Sequence, residues 1–434
     1  MKKEQVEIKK LGINGEGIGY IRKKICFVEQ ALPGEIVDVE ITKDHPKFYN
    51  GKMTKIVRES PYRVASFCKE DKFCQGCHLT KLQYAQHLPF KKGLLKDALK
   101  KYTSFDVEKL PIKAVISATK QKGYRQVVSL PVVYFKGKIH VGIYQRESKY
   151  LTLMDNCQMH DPKINECLVK IEEILNAYKV RDYNDKVKKG LRFLRLRQVE
   201  GRIQLLFVTG EDGMNMDAVK DISKIEAVKS IFMTINTTRY QDFDLQGYKK
   251  LYGQSTIPFH CFDQQYLYSM KSQFPVYPEM EIKMMDILKS KIGVDDLVLS
   301  LNCGIGLMEL SMDQEIVAID SKSAHIRDAK ENAKFLHKNN VSFVCKNSDE
   351  AVISQCKKKR FDTVVVRDSE LTPAIQQSLI LSKVPHVLYV SDHPSTLAKN
   401  IEELSQYYQV VSMIPMDTHP YASKFDTIVE LRRK

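Results

Sequence analysis

The sequence predicts an α/β chain in three parts: a small N-terminal β-barrel, an α+β middle domain and a C-terminal, doubly wound parallel α/β domain. Three observations predict it. Residues 1–60 alternate apolar and polar positions between glycine-marked turns. Residues 61–272 mix a cysteine cluster and a lysine-rich helical stretch with runs of strand character. From residue 273 to 434, apolar strand-like runs alternate with helical patterns, which is the signature of a parallel sheet. A length of 434 residues suits two or three domains.

The first part reads as strands VEIKKL, IGYIRKKICFVE, EIVDVEIT and YNGKMTKIV. Gly15, Gly17 and Gly19 punctuate the first turn and ALPGE marks another. Lys9, Lys10, Arg22, Lys23 and Lys24 would give this barrel a basic surface. In the middle part, LPFKKGLLKDALKKY reads as a helix, and YRQVVSLPVVYF, KIHVGIYQ and LRFLRLRQVEGRIQLLFVT as an antiparallel sheet. Arg125, Arg192, Arg195 and Arg197 fall at near-alternate strand positions, where one face could meet phosphate groups or simply face water. In the last part, DDLVLSLNCGIG runs from strand into a glycine turn and EIVAIDSKS is a strand ending in an acid. SAHIRDAKENAKFLHKN is a helix, and FDTVVVRD and PHVLYVSD are further strands.

The net charge of +15 favours a polyanionic partner, of which nucleic acid is the commonest. No apolar run reaches the roughly 18 residues of a membrane span, so no membrane partner is expected. The N-terminal MKKEQVEIKK has no apolar signal core. With ten cysteines, this suggests a reducing cytoplasmic setting and no disulfide framework.

Cys68, Cys74 and Cys77 form C-x5-C-x2-C in FCKEDKFCQGCHL, and Cys157 follows in DNCQMHDP. Three clustered thiolates and a distant fourth make a ligand set for a metal or an iron–sulfur cluster. Zinc is the rival, although it usually takes its ligands in two close pairs. In the last domain, ligands of an open α/β sheet bind at the carboxyl ends of the strands. That places a small-ligand site at Asn302–Cys303–Gly304–Ile305–Gly306, with the Asp320 carboxylate ending the next strand.

The cysteine run and its flanks resemble the RNA uracil-C5 methyltransferase family, of the type with an N-terminal TRAM domain and a [4Fe-4S] centre that acts on 23S rRNA or tRNA. CGIG, the helix DAKENAKF and the loop Ser391–Asp392–His393–Pro394–Ser395–Thr396–Leu397–Ala398–Lys399–Asn400 extend the resemblance along the chain. It implies an OB-like TRAM barrel over 1–60, a central cluster domain over 61–272 and a class I Rossmann-like methyltransferase domain over 273–434. It also implies a [4Fe-4S] cluster on Cys68, Cys74, Cys77 and Cys157, and S-adenosylmethionine held by Cys303, Gly304, Gly306, Asp320 and Asp349. The partner would be structured RNA, 23S rRNA or tRNA, met by a monomer.

The family adds a cysteine thiolate to uracil C6, which turns C5 into the nucleophile. Here Asp392 stands at the thiol position, in gap-free register with S-C-N-P-x-T-L-A-R-D. Asp426 occupies the general-base position of a glutamate. Ser300 replaces a strand aspartate, Phe274–Pro275–Val276–Tyr277 replaces F-Q-V-N, and Arg367–Asp368–Ser369–Glu370 replaces D-P-P-R. A carboxylate is a far poorer carbon nucleophile than a thiolate. The expected function is therefore RNA binding on this scaffold without the cysteine chemistry, and whether the chain is an enzyme stays open. One alternative is an active RNA methyltransferase with another nucleophile or target, Cys303 being the nearest substitute thiol. Another is an iron–sulfur redox or iron sensor.

Overall fold

The computed structural model describes residues 3–74, 76–145, 151–154, 156–238 and 247–434, which include every candidate site residue named above. The first six strands are β1 (Lys3–Glu7), β2 (Lys10–Leu11), β3 (Gly17–Ile21), β4 (Lys24–Val28), β5 (Ile36–Asp44) and β6 (Phe48–Arg58). They form one sheet in the order β1-β5-β6-β4-β3-β2 around Val6, Ile8, Ile21, Cys26, Val28, Val37 and Val39. The run IGYIRKKICFVE is a hairpin and not one strand. Arg22 and Lys23 both take positive φ, at 49° and 69°, and Ile21 pairs with Lys24. Two-residue hairpin turns need that left-handed geometry. Neither residue is a glycine or asparagine, so the turn left no sequence signal.

Helix α1 (Tyr84–Tyr102) follows the cysteine loop. The middle strands are β7 (Val127–Phe135), β8 (Lys138–Tyr144), β9 (Leu151–Leu153), β10 (Leu191–Val199), β11 (Arg202–Thr209), β12 (Val228–Ile235) and β13 (Lys249–Gly253), with α2 (Pro162–Ala177) and α3 (Met216–Ile222) between them. Their sheet runs β13-β12-β11-β10-β7-β8-β9. It is not wholly antiparallel, because β11 and β12 pair in parallel. A parallel pair needs a crossover, and α3 lies in that connection. The hairpin of β14 (Thr256–Cys261) and β15 (Gln264–Ser269) comes next.

The remaining elements are α4 (Pro278–Lys289), β16 (Val298–Leu301), α5 (Leu307–Leu310), β17 (Ile316–Asp320), α6 (Ser323–Phe335), β18 (Val341–Cys345), α7 (Ser348–Cys356), β19 (Thr363–Arg367), α8 (Pro373–Leu381), β20 (His386–Ser391), α9 (Pro394–Leu404), β21 (Tyr408–Met416) and β22 (Asp426–Arg433). Strand and helix alternate as the sequence predicts.

Internal contacts divide the chain into two compact units. The first holds residues 1–118, 390–432 and 434: the barrel, the cysteine loop, α1, α9 and most of β21 and β22. Within it α1 packs on α9, and Ile112 and Ile116 bridge to Met413 and Met416 of β21. The second holds residues 119–389 and 433. Its parallel strands run β18-β17-β16-β19-β20. Every residue of β16 and β17 is buried, as expected for a sheet covered on both faces. Among the described residues no helix is long and apolar enough to cross a membrane.

Candidate functional site

In the second unit, β16 has β17 on one side and β19 on the other, all in parallel. The chain winds outward from β16 in both directions, so the carboxyl end of β16 is a topological switch point. The loop Asn302–Gly306 leaves the sheet there. Asn302 takes φ 60° and is held by several hydrogen bonds. Its amide donates to Asp368 Oδ2 at 2.6 Å, its side-chain oxygen accepts from Ser348 Oγ at 3.2 Å, and its carbonyl accepts from Arg367 Nη2 at 3.2 Å. Gly304 and Gly306 follow at φ 61° and 76°. A Cβ on Gly304 would meet nothing within 4 Å, so its backbone faces open space. On Gly306 it would strike the Phe343 ring at 2.7 Å.

Asp320 ends β17 with 5% exposure. One carboxylate oxygen accepts from Gly304 N at 3.0 Å, and the other accepts from Lys322 N at 2.8 Å and faces His325 Nδ1 at 3.0 Å. His325 Nε2 accepts from Gln273 N at 3.1 Å, so its proton lies on Nδ1, toward Asp320. Burial alone would raise the Asp320 carboxyl. The histidine and the two N–H groups outweigh it and hold the group below its ordinary value. An ionised carboxylate at a strand end beside an open glycine backbone fits the ribose of a nucleoside cofactor. Asp349 lies in the first turn of α7 and accepts from Thr372 Oγ1 at 2.7 Å. Cys303 is 1% exposed, and burial pushes its thiol well above the usual range, which disfavours it as a substitute nucleophile.

Two features under the loop escaped the sequence. Ser300, which the sequence places where the resembled family has an aspartate, donates to Glu309 Oε1 at 2.6 Å from within β16. Arg367 sits between Glu309 and Glu281, 3.9 Å and 3.3 Å away. Tyr277 stands just before α4, with its ring tilted against Tyr124 at a centroid distance of 4.7 Å and its hydroxyl 2.9 Å from that of Thr119. A glutamate in MELSMD reads as a helix-surface residue, so only Ser300 itself hinted at a displaced acid.

In the first unit, Asp392 follows β20 with its side chain 31% exposed, and Asp392 Oδ1 lies 2.5 Å from His393 Nδ1. Asp426 opens β22 and accepts from the Thr418 hydroxyl. The segment before it is pinned by Lys91, which the lysine-rich pattern of α1 gave no reason to single out. Lys91 is fully buried and pairs with the fully buried Asp417. It also donates to the carbonyls of His419 at 2.9 Å and Lys424 at 2.8 Å, and Tyr84 completes Asp417 at 2.8 Å.

Cys68, Cys74 and Cys77 lie half-buried in the first unit and Cys157 half-buried in the second. Among the described residues no group of three or more His, Cys, Asp or Glu side chains is arranged to hold a metal ion. The thiolates are apt donors, but the structure draws no assembled shell from them. The basic face expected on the arginine strand is also revised. Arg197 is 1% exposed and donates to Gln204, Ser269, Met270 and Ser272. Burial lowers it to about 10, and it serves the interior of the second unit. Arg192 is turned to the carbonyls of Asn236 and Thr238. On the barrel, Lys9, Lys10 and Lys24 pair with Glu7, Asp97 and Asp44. Such exposed pairs are weak enough to yield to phosphate.

Residues 2–54 match the TRAM domain, and residues 83–434 match the tRNA (uracil-5-)-methyltransferase family. Similar curated proteins include an uncharacterized RNA methyltransferase of Halalkalibacterium halodurans, 29% identical over 97% of this chain and 94% of that one. Another is an uncharacterized RNA methyltransferase of Streptococcus agalactiae, 27% identical over 99% of this chain and 98% of its own. Among solved structures, the tRNA (uracil-54, C5)-methyltransferase of Pyrococcus abyssi, in complex with S-adenosyl-L-homocysteine, superposes with a TM-score of 0.79. It is 22% identical and the match covers 99% of this chain and 100% of that one, which shows a shared fold.

Proposed function

From a chain that belongs to the tRNA (uracil-5-)-methyltransferase family, we propose an RNA-binding protein that keeps the S-adenosylmethionine site and lacks the cysteine-adduct route to uracil C5. The observation that carries this reading is Asp392, a carboxylate facing His393 at the position of the attacking thiol. A carboxylate is a weak nucleophile toward the pyrimidine C6, and as a leaving group it would depart faster than a thiolate. The TRAM domain and the net charge of +15 support an RNA partner, tRNA or 23S rRNA.

S-adenosylmethionine, when bound, supplies an electrophilic methyl group. This chain's own residues would do the rest. Asp320 would accept the ribose hydroxyls, and Gly304 would let backbone approach the ligand. Asp426 would hold the position of the base that removes the C5 proton, one methylene shorter than a glutamate. An active enzyme with Cys303 as nucleophile is the less favoured reading, because that thiol is buried and held protonated.

RNA carrying 5-fluorouridine traps a covalent adduct when a nucleophile adds to C6. The wild-type chain is expected to form none, and nucleoside mass spectrometry should find no new 5-methyluridine. An adduct abolished by Asp392→Ala would make Asp392 a working nucleophile and overturn the reading. One abolished by Cys303→Ala would move the thiol instead. We further propose a [4Fe-4S] cluster on Cys68, Cys74, Cys77 and Cys157, which rests on their spacing and donor chemistry. Anaerobically purified protein should be brown, with about four irons expected for that ligand set. Colourless protein with stoichiometric zinc would reject it.

A further inference from the structure

Beneath the glycine loop of the second unit, two glutamates are gathered around one arginine. Glu309 is fully buried on α5. One of its oxygens takes the Ser300 hydroxyl at 2.6 Å and lies 3.9 Å from Arg367. The other, Oε2, is buried and has no hydrogen-bond partner among the described residues. Arg367 is shared: its second arm reaches Glu281 at 3.3 Å, and it also donates to the Asn302 carbonyl. Two carboxylates therefore face one guanidinium. The ionised Asp320 lies across the same loop, joined to it through Gly304 N. A buried carboxylate oxygen without a donor is costly. It lowers the free energy of the site only when a cation or a strong donor arrives.

We propose that Glu309 is the specificity-determining carboxylate of the cofactor site: its unpartnered oxygen selects ligands that carry the ammonium group of an amino-acid end over nucleosides that lack one. The assignment rests on the cofactor reading above and deepens it. Two observations beyond the carboxylate itself carry it. Ser300 leaves no acid on β16, and its hydroxyl meets an acid carried by α5. Gly304, whose N–H bonds Asp320 in the loop that leaves β16, has open space where a side chain would stand. Ser300 and Arg367 fix the orientation of Glu309; Ser300 is a positioning residue.

The test compares two ligands that share the nucleoside and differ in the charged end. Calorimetry measures S-adenosylhomocysteine and 5′-methylthioadenosine binding to the full-length wild type and to Glu309→Gln. The wild type should prefer S-adenosylhomocysteine by about tenfold or more, the scale of one desolvated charge contact. In Glu309→Gln that preference should collapse, through weaker S-adenosylhomocysteine binding with 5′-methylthioadenosine changed by less than about twofold. An unchanged preference, or an equal loss for both ligands, would overturn the assignment and leave Glu309 a structural residue. If Glu309→Gln fails to fold, Ser300→Ala keeps the charge but frees the side chain, and the preference should still fall. A wild type that binds neither ligand would instead refute the cofactor reading itself.

Discussion

Gly304 and Gly306 are two residues apart in one loop, and alanine should act on them in opposite ways. Both have positive φ, so each substitution carries the left-handed penalty of about 1–2 kcal/mol. A methyl group on Gly306 would also lie 2.7 Å and 2.8 Å from two carbons of the buried Phe343 ring. Overpacking of that kind costs about 1–3 kcal/mol more, for a total of about 2–5 kcal/mol. A methyl group on Gly304 would meet nothing within 4 Å, so it carries the backbone penalty alone. That methyl group would instead fill the space a bound nucleoside needs. Hydrogen exchange of β16 and β17 in urea reads local stability without assuming two-state unfolding of a chain with two units. Calorimetry with S-adenosylhomocysteine reads the ligand. Gly304→Ala should stay folded and lose affinity about tenfold or more, while Gly306→Ala should lose protection in β16 and β17. Equal stability of the two variants would refute the steric reasoning. Full affinity in Gly304→Ala would refute the placement of the cofactor.

Other expectations concern the first unit. Lys91→Met leaves the buried Asp417 carboxylate with an uncompensated charge and should cost about 3–5 kcal/mol. The double variant with Asp417→Asn should recover part of it in a double-mutant cycle by urea denaturation; additive losses would show that the two groups do not act as a pair. Glu35, fully buried in the barrel, accepts bidentate bonds from Arg63 at 2.5 Å and 2.8 Å and one from Leu32 N at 2.8 Å. Burial pushes its carboxyl up, but Arg63 and the backbone donors prevail and hold it below the ordinary 4.5. A depressed carboxyl stabilises the fold fully above its unfolded pKa and ceases to do so as pH falls through the folded one. Barrel stability should therefore fall on acidification below about pH 4.5, and Glu35→Gln should flatten that fall. A barrel equally acid-sensitive in both proteins would contradict it.

The parallel part of the fold was legible because its strands are buried on both faces, and continuous runs such as VLSL and IVAID admit few other readings. Asp320 and the glycines were legible for the same reason: the end of a buried strand is where a polar residue has to be explained. What escaped the sequence depends on contacts between distant residues. Arg22 and Lys23 adopt a turn that their side chains do not advertise. Arg197 looks like the partly buried Arg192 and Arg195, but four acceptors, three of them carbonyls at 269, 270 and 272, draw it inside. Lys91 sits among lysines on α1 but meets Asp417, 326 residues away, and two backbone carbonyls. Glu309 reads as an ordinary helical acid until Ser300 and Arg367 are placed around it.

The substitutions in this chain divide by the kind of chemistry they touch. At position 392, which the resemblance gives to the attacking thiol, a carboxylate stands. At the glycine loop, Ser300 stands where the resemblance gives an aspartate, and its hydroxyl bonds Glu309, which also faces Arg367. Such a cluster is expensive. Replacing buried charges with apolar residues of similar volume often stabilises a fold by about 1–4 kcal/mol. On the proposal above, the ammonium group of a bound ligand would offset that cost. The step proposed to be lost is therefore adduct formation and not cofactor capture. Binding of S-adenosylhomocysteine by a protein that leaves 5-fluorouridine RNA unmodified is the combination this division requires. Loss of both properties together would mean that the whole site had decayed and that Glu309 had no ligand to hold.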